Sequence, residues 1–264
     1  MSMTMGTALI TGASSGIGSV YADRLARRGY DLILVARNTA RLQKVATRIS
    51  KDTGRAVNVM TADLATPVDL LRVEQILRDN AAITMLVNNA GFGAVAPLLE
   101  ADVDTMNAMI DINVRAPMRL TYAAAPAFAA RGTGAIINIA SIVAIAPEIL
   151  NGVYGGTKAF VLALTQSMAH ELSSKGIRVQ AVLPGGTATD FWGIAGYGEY
   201  AGSPKVMPVG DMVDAALAGF DAGETVTIPP LQDGTLWDQF DHQRRYIGDN
   251  LAHATPGPRY LVRT

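Results

Sequence analysis

Short apolar runs alternate with longer amphipathic segments along this chain of 264 residues. The apolar runs are too short for independent helices and are rich in Ile, Leu and Val, which predicts buried β-strands. We place the strands at Thr7–Ile10, Asp31–Ala36, Val57–Thr61, Ile83–Asn88, Ala135–Ala140, Ile177–Leu183 and Glu224–Ile228.

The segments between these strands show the three- to four-residue spacing of helices. In one of them, Leu42, Ala46 and Ile49 fall on a single face. Helices are predicted at Ser19–Arg28, Ala40–Ser50 and Pro67–Asp79, and from Tyr154 towards Leu172. Alternating strands and helices favour right-handed βαβ units. The pattern therefore predicts an α/β fold, a Rossmann-type doubly wound parallel sheet of about seven strands with helices on both faces.

No Pro-, Gly- or Ser-rich linker and no internal repeat divides the chain, so we expect one domain over residues 1–264. Aromatic residues interleaved with glycine, including Phe191, Trp192, Tyr197 and Tyr200, suggest a substrate lid over residues 190–210. The less regular residues 230–264 form a C-terminal extension whose role the sequence leaves open.

The amino-acid composition limits the kinds of partner that the protein is expected to bind. Charged residues make up 17% of the chain and the net charge is −1, which predicts no binding to nucleic acid or to a membrane. Met1 to Gly6 lacks the pattern of a signal peptide, and there is no cysteine, so a cytoplasmic location is expected. The three histidines have no ligand-like spacing, and no metal site is expected.

A glycine-rich turn follows the first predicted strand and precedes a helix. Its spacing, G-x-x-x-G-x-G, suits the binding of a dinucleotide pyrophosphate by backbone amides at a helix N-terminus. The turn residues predicted to bind it are Gly12, Ser14, Ser15, Gly16, Ile17 and Gly18. The same letters also match the G-x-S-x-G motif of serine hydrolases, with Ser14 as the nucleophile. Only one strand precedes Ser14, whereas the hydrolase motif follows a central strand, and this argues against a hydrolase.

The end of the second strand distinguishes the two nicotinamide cofactors. A carboxylate here would bind the 2′-hydroxyl of NAD and repel the 2′-phosphate of NADP. This chain has Arg37 followed by Asn38 instead, and a guanidinium can pair with a phosphate. The sequence therefore favours NADP(H).

Four polar residues suggest proton-transfer chemistry. Tyr154 and Lys158 are four apart and share one helix face, so we expect the Lys158 ammonium to stabilise a Tyr154 phenolate. Ser141 follows a predicted strand at the carboxyl edge of the sheet, where open α/β sheets bind ligands. Asn113 lies within a helical pattern and is interpreted either as a local backbone partner or as part of a proton relay.

Together these motifs resemble the short-chain dehydrogenase/reductase family in its compact single-domain branch, from Thr7 to about Thr189. The resemblance implies a catalytic tetrad of Asn113, Ser141, Tyr154 and Lys158. It also implies cofactor contacts from Tyr154 and Lys158 and from Asp63, Leu64, Asn89, Ala90, Gly91, Pro184, Gly185, Thr187 and Thr189. Members of this family often form homodimers or homotetramers.

The expected function is an NADPH-dependent oxidoreductase that moves hydride between nicotinamide and a hydrophobic ketone, aldehyde or secondary alcohol. The residues expected to contact the substrate are Ile142, Val143, Glu148, Phe191 and Trp192. Two alternatives remain open, an NAD-dependent dehydrogenase of the same fold and a non-catalytic NADPH-sensing protein.

Overall fold

The computed structural model describes residues 5–195, 198 and 202–261, and the strands among them form one parallel sheet of seven. The strands are β1 Thr7–Thr11, β2 Asp31–Ala36, β3 Val57–Thr61, β4 Ile83–Asn88, β5 Gly134–Ile139, β6 Ile177–Val182 and β7 Val226–Thr227. Their order is β3-β2-β1-β4-β5-β6-β7. The order reverses direction between β1 and β4, the point at which doubly wound sheets bind ligands. The predicted Rossmann-type α/β fold is confirmed.

Helices cover both faces of this sheet. They are α1 Gly16–Arg27, α2 Thr39–Thr53, α3 Pro67–Asp79, α4 Val103–Ile110, α5 Ala116–Arg131, α6 Gly152–Leu172, α7 Phe191–Ile194, α8 Val209–Asp221 and α9 Thr235–Asp249. Alternate residues of β1 point to opposite faces. Ala8 and Ile10 belong to a core with α1, α2 and α8, whereas Leu9 belongs to a core with α3, α5 and α6.

The bounds of β2, β3, β4 and α3 coincide with the prediction, and those of the other predicted elements differ by one to three residues. Helix α2 is longer than predicted because Asn38 caps its start and Gly54 ends it. The Asn38 side chain accepts a hydrogen bond from the Arg41 amide, and Gly54 adopts φ 68°, in the left-handed region. Strand β7 is shorter than the predicted Glu224–Ile228, since it pairs with β6 at only two positions before two prolines follow.

The chain divides into two compact units, Met1–Pro230 and Leu231–Thr264. The second unit contains α9, and the predicted C-terminal extension over residues 230–264 stays a prediction. In that helix the rings of Trp237 and Phe240 lie 5.4 Å apart, and Asp241 pairs with Arg244 at 2.7 Å. The single domain remains a prediction. Within the described residues, no helix has both the length and the hydrophobicity needed to span a membrane.

Leu9 gives a direct test of the sheet core, because its side chain is fully buried at the centre of β1. Leu9→Ala should lower the free energy of unfolding by about 2–5 kcal/mol, since it leaves a cavity between β1 and the α3–α5 layer. Leu71→Ala, at a half-exposed position of α3, should change it by less than about 0.5 kcal/mol. Urea unfolding of both variants measures the difference, and equal losses would contradict this arrangement of the core.

Candidate active site

The glycine turn after β1 has the close-packed geometry that a phosphate-binding turn needs. Gly12 adopts φ 65°, and a Cβ there would lie 2.7 Å from Asn89 Nδ2 and 2.9 Å from Ala90 Cα. Gly16 is also in the left-handed region, at φ 52°. Among the described residues Ser15 caps α1 without a side-chain hydrogen bond, so the first amides of this 12-residue helix can bind an anion.

Hydrogen bonds between Thr11 and the segment after β4 hold the two sides of the crevice together. The Thr11 hydroxyl accepts hydrogen bonds from the amides of Asn89 and Ala90, both at 3.0 Å. In return, Asn89 Nδ2 donates to the carbonyl oxygens of Thr11 at 2.9 Å and Gly12 at 3.2 Å. Asn89 was predicted as a cofactor contact, and its amide group braces the turn. The role of Thr11 was missed, although a threonine at the end of the first strand was its sequence signal.

The ends of β2 and β3 carry the residues predicted for the adenosine side. Arg37 is exposed, and no described residue forms an ion pair with it. Asn38 is engaged as the cap of α2. The Asp63 carboxylate accepts a hydrogen bond from the Ala65 amide, and Leu64 is buried. No carboxylate follows β2, so the end of this strand can accommodate a phosphate.

Ser141, Tyr154 and Lys158 meet at the carboxyl edge of the sheet, and all three are buried. The Ser141 side chain lies next to the Tyr154 hydroxyl and acts to lower its pKa. Lys158 Nζ donates to the Ile139 carbonyl oxygen at 2.9 Å and lies 5.8 Å from the centre of the Tyr154 ring. This is the geometry of a buried acid–base pair with an adjacent hydroxyl donor.

Asn113 lies in a π-helical turn, Asp111–Arg115, between α4 and α5. Its side chain accepts from the Phe92 amide at 3.1 Å and donates to the Phe92 carbonyl oxygen at 2.8 Å. A third bond reaches Thr157 Oγ1 at 3.1 Å. Asn113 therefore fixes the loop after β4 against α6. The predicted relay stays a prediction, and the bonding partners Phe92 and Thr157 were not anticipated.

Asn151 is another residue that was missed. It caps α6, where its Oδ1 accepts from the amides of Val153 at 2.9 Å and Tyr154 at 3.4 Å. Its Nδ2 donates to the Ala96 carbonyl oxygen at 2.7 Å. The cap fixes where α6 begins and so where Tyr154 lies. An Asn directly before a helical pattern was the signal available in the sequence.

A cavity of about 360 Å³ joins the glycine turn to the buried triad. Its predicted cofactor-side lining is Gly12, Ser15, Gly16, Ile17, Asn89, Ala90, Gly91, Pro184, Gly185, Thr187 and Thr189. Ser14, Gly18, Arg37, Asn38, Asp63 and Leu64 are not part of this lining. Such a crevice, with two glycines in left-handed backbone and free helix amides, fits a nicotinamide dinucleotide.

The remaining walls of the cavity are mostly apolar. Four of the predicted substrate residues line it, namely Ile142, Val143, Phe191 and Trp192. Glu148 is exposed and does not line it, because it lies on a short turn at Pro147–Ile149 whose last residue, Ile149, faces the cavity instead. Phe92 and Ile194 also line it and were not predicted. Tyr197 and Tyr200 of the predicted lid lie outside the described residues.

Comparison with known proteins identifies the family. A sequence profile described as short chain dehydrogenase matches residues 6–195. The chain belongs to the short-chain dehydrogenase family. An uncharacterized oxidoreductase of Staphylococcus saprophyticus is 33% identical over 211 residues, which are 80% of this chain and 88% of that protein.

Two solved structures resemble this short-chain dehydrogenase along nearly its whole length. A short-chain dehydrogenase from Sphingobium yanoikuyae in complex with NADPH is 48% identical, with a TM-score of 0.93, over 97% of this chain and all of that one. A bulky-bulky ketone specific alcohol dehydrogenase from Comamonas testosteroni is 43% identical, with a TM-score of 0.91, over 98% of this chain and all of that one. The protein is thus an oxidoreductase of this family, whose members bind NAD or NADP.

Burial dominates the protonation of the active-site pair. It raises the pKa of Tyr154 from 10.0 to about 12, although the Ser141 side chain opposes this shift. It lowers the pKa of Lys158 from 10.5 to about 8. The lowering of the Tyr154 pKa that we expected from Lys158 is therefore absent in the protein alone, because desolvation of the phenol dominates its pKa.

The Lys158 shift predicts a specific dependence of stability on pH. Between pH 8 and 10.5 the unfolded chain holds a proton on this amine and the folded protein does not, so stability rises with pH. The opposing effect of Tyr154 begins only above pH 10. Relative to Lys158→Met, the free energy of unfolding of the wild type should rise by about 2 kcal/mol between pH 7.5 and 9.5.

Denaturant unfolding at several pH values measures this difference, and the pH slope of the difference is independent of any packing change in the variant. Lys175→Met, at an exposed position, controls for the loss of one positive charge. Parallel pH profiles for the wild type and Lys158→Met would contradict a desolvated lysine.

Proposed function

We propose that this short-chain dehydrogenase is an NADPH-dependent carbonyl reductase that also runs in reverse as a secondary-alcohol dehydrogenase. The observation that carries the proposal is the adjacent pair of Tyr154 and Ser141 side chains in a largely apolar cavity that is continuous with the glycine turn. A carbonyl oxygen placed against these two hydroxyls meets two donors in a desolvated site, where hydrogen bonds to a developing negative charge are strongest.

The roles of the chain's own groups follow from their contacts. Tyr154 donates its proton to the carbonyl oxygen, and Ser141 polarises that oxygen. Lys158, which burial brings to a pKa of about 8, can exchange a proton near neutral pH and restore the Tyr154 hydroxyl. Asn113 holds the loop that borders Lys158, since Gly91 lies between them. Bound NADPH supplies the hydride.

The preference for NADPH rests on the end of β2. Arg37 is exposed and has no ion-pair partner among the described residues, and no acid stands at this position. A guanidinium here favours a 2′-phosphate and offers no acceptor to the 2′-hydroxyl of NAD. The NADPH complex of the similar Sphingobium protein supports this assignment.

The proposed substrate is a ketone or aldehyde with a large hydrophobic body. Ile142, Leu150, Phe191 and Ile194 give the cavity apolar walls on several sides. Burial of apolar surface against such walls provides binding energy without directional contacts. The similar Comamonas enzyme is specific for bulky-bulky ketones, which supports the same class.

We also propose a cytoplasmic homodimer or homotetramer, since the exposed Ile110 and Tyr122 offer apolar surface on α4 and α5.

Tyr154→Phe separates the enzyme from a protein that only senses NADPH. Loss of the phenolic proton should reduce kcat for ketone reduction by at least about 100-fold, the usual contribution of a general acid, and leave NADPH affinity within a few-fold of wild type. Tyr246→Phe, at an exposed site on α9, is the matched control and should keep full activity. NADPH consumption with a panel of aryl and branched ketones is the assay. Wild-type turnover by Tyr154→Phe would exclude the proposed acid.

Arg37→Asp tests the choice of cofactor against an NAD-dependent dehydrogenase. The new carboxylate should repel the 2′-phosphate and accept from the 2′-hydroxyl, so kcat/KM for NADPH should fall by about 100-fold or more while that for NADH rises. Lys44→Asp makes the same charge change at an exposed position of α2 and should leave the ratio near the wild-type value. An unchanged NADPH-to-NADH ratio in Arg37→Asp would favour the NAD-dependent alternative.

A further inference from the structure

One ion pair crosses the carboxyl edge of the sheet. Arg41, in the first turn of α2, donates from Nη1 to Asp190 Oδ2 at 3.3 Å. Arg41 follows β2 and Asp190 follows β6, and these strands are separated by β1, β4 and β5. At about 4.8 Å for each strand spacing, the two strands lie about 19 Å apart. The side chains therefore meet only because the chain after β6 returns across the strand ends.

The returning segment passes directly over the glycine turn. A Cβ on Gly16 would lie 3.2 Å from Thr189 Cγ2, the residue before Asp190. The crevice between β1 and β4 is bordered by Gly16 on one side, and Thr189 and Asp190 line the same cavity. The Arg41–Asp190 pair thus connects the two sides of this crevice.

Asp190 also adjoins the apolar side of the cavity, where we propose that the substrate binds. It directly precedes α7, whose Phe191 ring lies 5.8 Å from the Tyr154 ring. The Trp192 indole donates to the Thr187 carbonyl oxygen at 2.9 Å, so the segment from Thr187 to Trp192 is tied together. A contact at Asp190 therefore acts on both the cofactor crevice and the apolar wall.

We propose that Arg41 and Asp190 form a latch that closes the cofactor crevice and slows release of bound nicotinamide dinucleotide. The proposal rests on the function proposed above, since it requires a dinucleotide in the crevice. The latch joins two protein groups, so it retains NADPH and NADH alike. It differs in this from Arg37, whose role depends on the 2′-phosphate.

The expected size of the effect follows from exposure. The side chains of Arg41 and Asp190 are 58% and 65% exposed, and exposed ion pairs contribute little and are screened by salt. Opening the latch should therefore speed cofactor release by about two- to fivefold at low ionic strength. The difference should vanish near 1 M salt, where the screening length is about 3 Å.

Stopped-flow release of NADPH and of NADH, each displaced by excess oxidised cofactor, tests the latch in the full-length protein. Asp190→Asn, Arg41→Gln and the double variant form a cycle in which the double variant should release cofactor no faster than either single variant. Asp221→Asn opens the pair of Arg28 and Asp221, which has a similar exposure and lies on another part of the surface, and should leave release unchanged.

Equal acceleration of NADPH and NADH release in Asp190→Asn is the expected result. Slower NADPH release with unchanged NADH release would overturn the latch, because Asp190 would then be withholding Arg41 from the 2′-phosphate. Unchanged release of both cofactors would also overturn it while leaving the proposed function intact. Failure of the wild type to bind either cofactor would overturn the proposed function and the latch together.

Discussion

Thr11 and Asn89 join the two loops between which the sheet reverses direction. Their hydrogen bonds tie the end of β1 to the end of β4 and use polar groups that would otherwise be left unpaired in a partly buried place. Gly12 has no room for a side chain because Asn89 and Ala90 occupy that space. These contacts fix the spacing between the ends of β1 and β4. The crevice between them, the glycine turn and the cavity that reaches Tyr154 and Lys158 all depend on that spacing.

Burial of Tyr154 and Lys158, which forms the site, also disfavours the charged form of each group. Tyr154 and Lys158 lose water, which raises the pKa of the phenol and lowers that of the amine. Each shift favours the neutral form of its group. Without a ligand, the Tyr154 phenol therefore stays protonated and the Lys158 amine loses its proton more readily than an exposed lysine. A ligand that brings charge or polar groups into the cavity changes this balance. Protonation of the pair is thereby coupled to the occupancy of the crevice.

Sequence patterns predicted the sheet and the location of the site well, because both depend on local signals. Apolar runs gave β2, β3 and β4 with their observed bounds, and spacing brought Tyr154 and Lys158 onto one face of α6. The failures involve distant contacts or side-chain direction. Glu148 is exposed and does not line the cavity, and no local sequence pattern predicts that Arg41 meets Asp190 across four strand spacings. The raised pKa of Tyr154 also follows from burial in the packed structure and not from a local sequence pattern.

We expect the β1–β4 crevice to bind a nicotinamide dinucleotide with a 2′-phosphate. Titration of the purified protein with NADPH and NADH, followed by quenching of tryptophan fluorescence, tests it most directly, because Trp192 lines the cavity. We expect saturable binding of one NADPH per chain, at least about tenfold tighter than that of NADH, the change expected from one charge-assisted contact. Equal affinity for both cofactors would contradict the assignment of Arg37, and binding of neither would contradict the site itself.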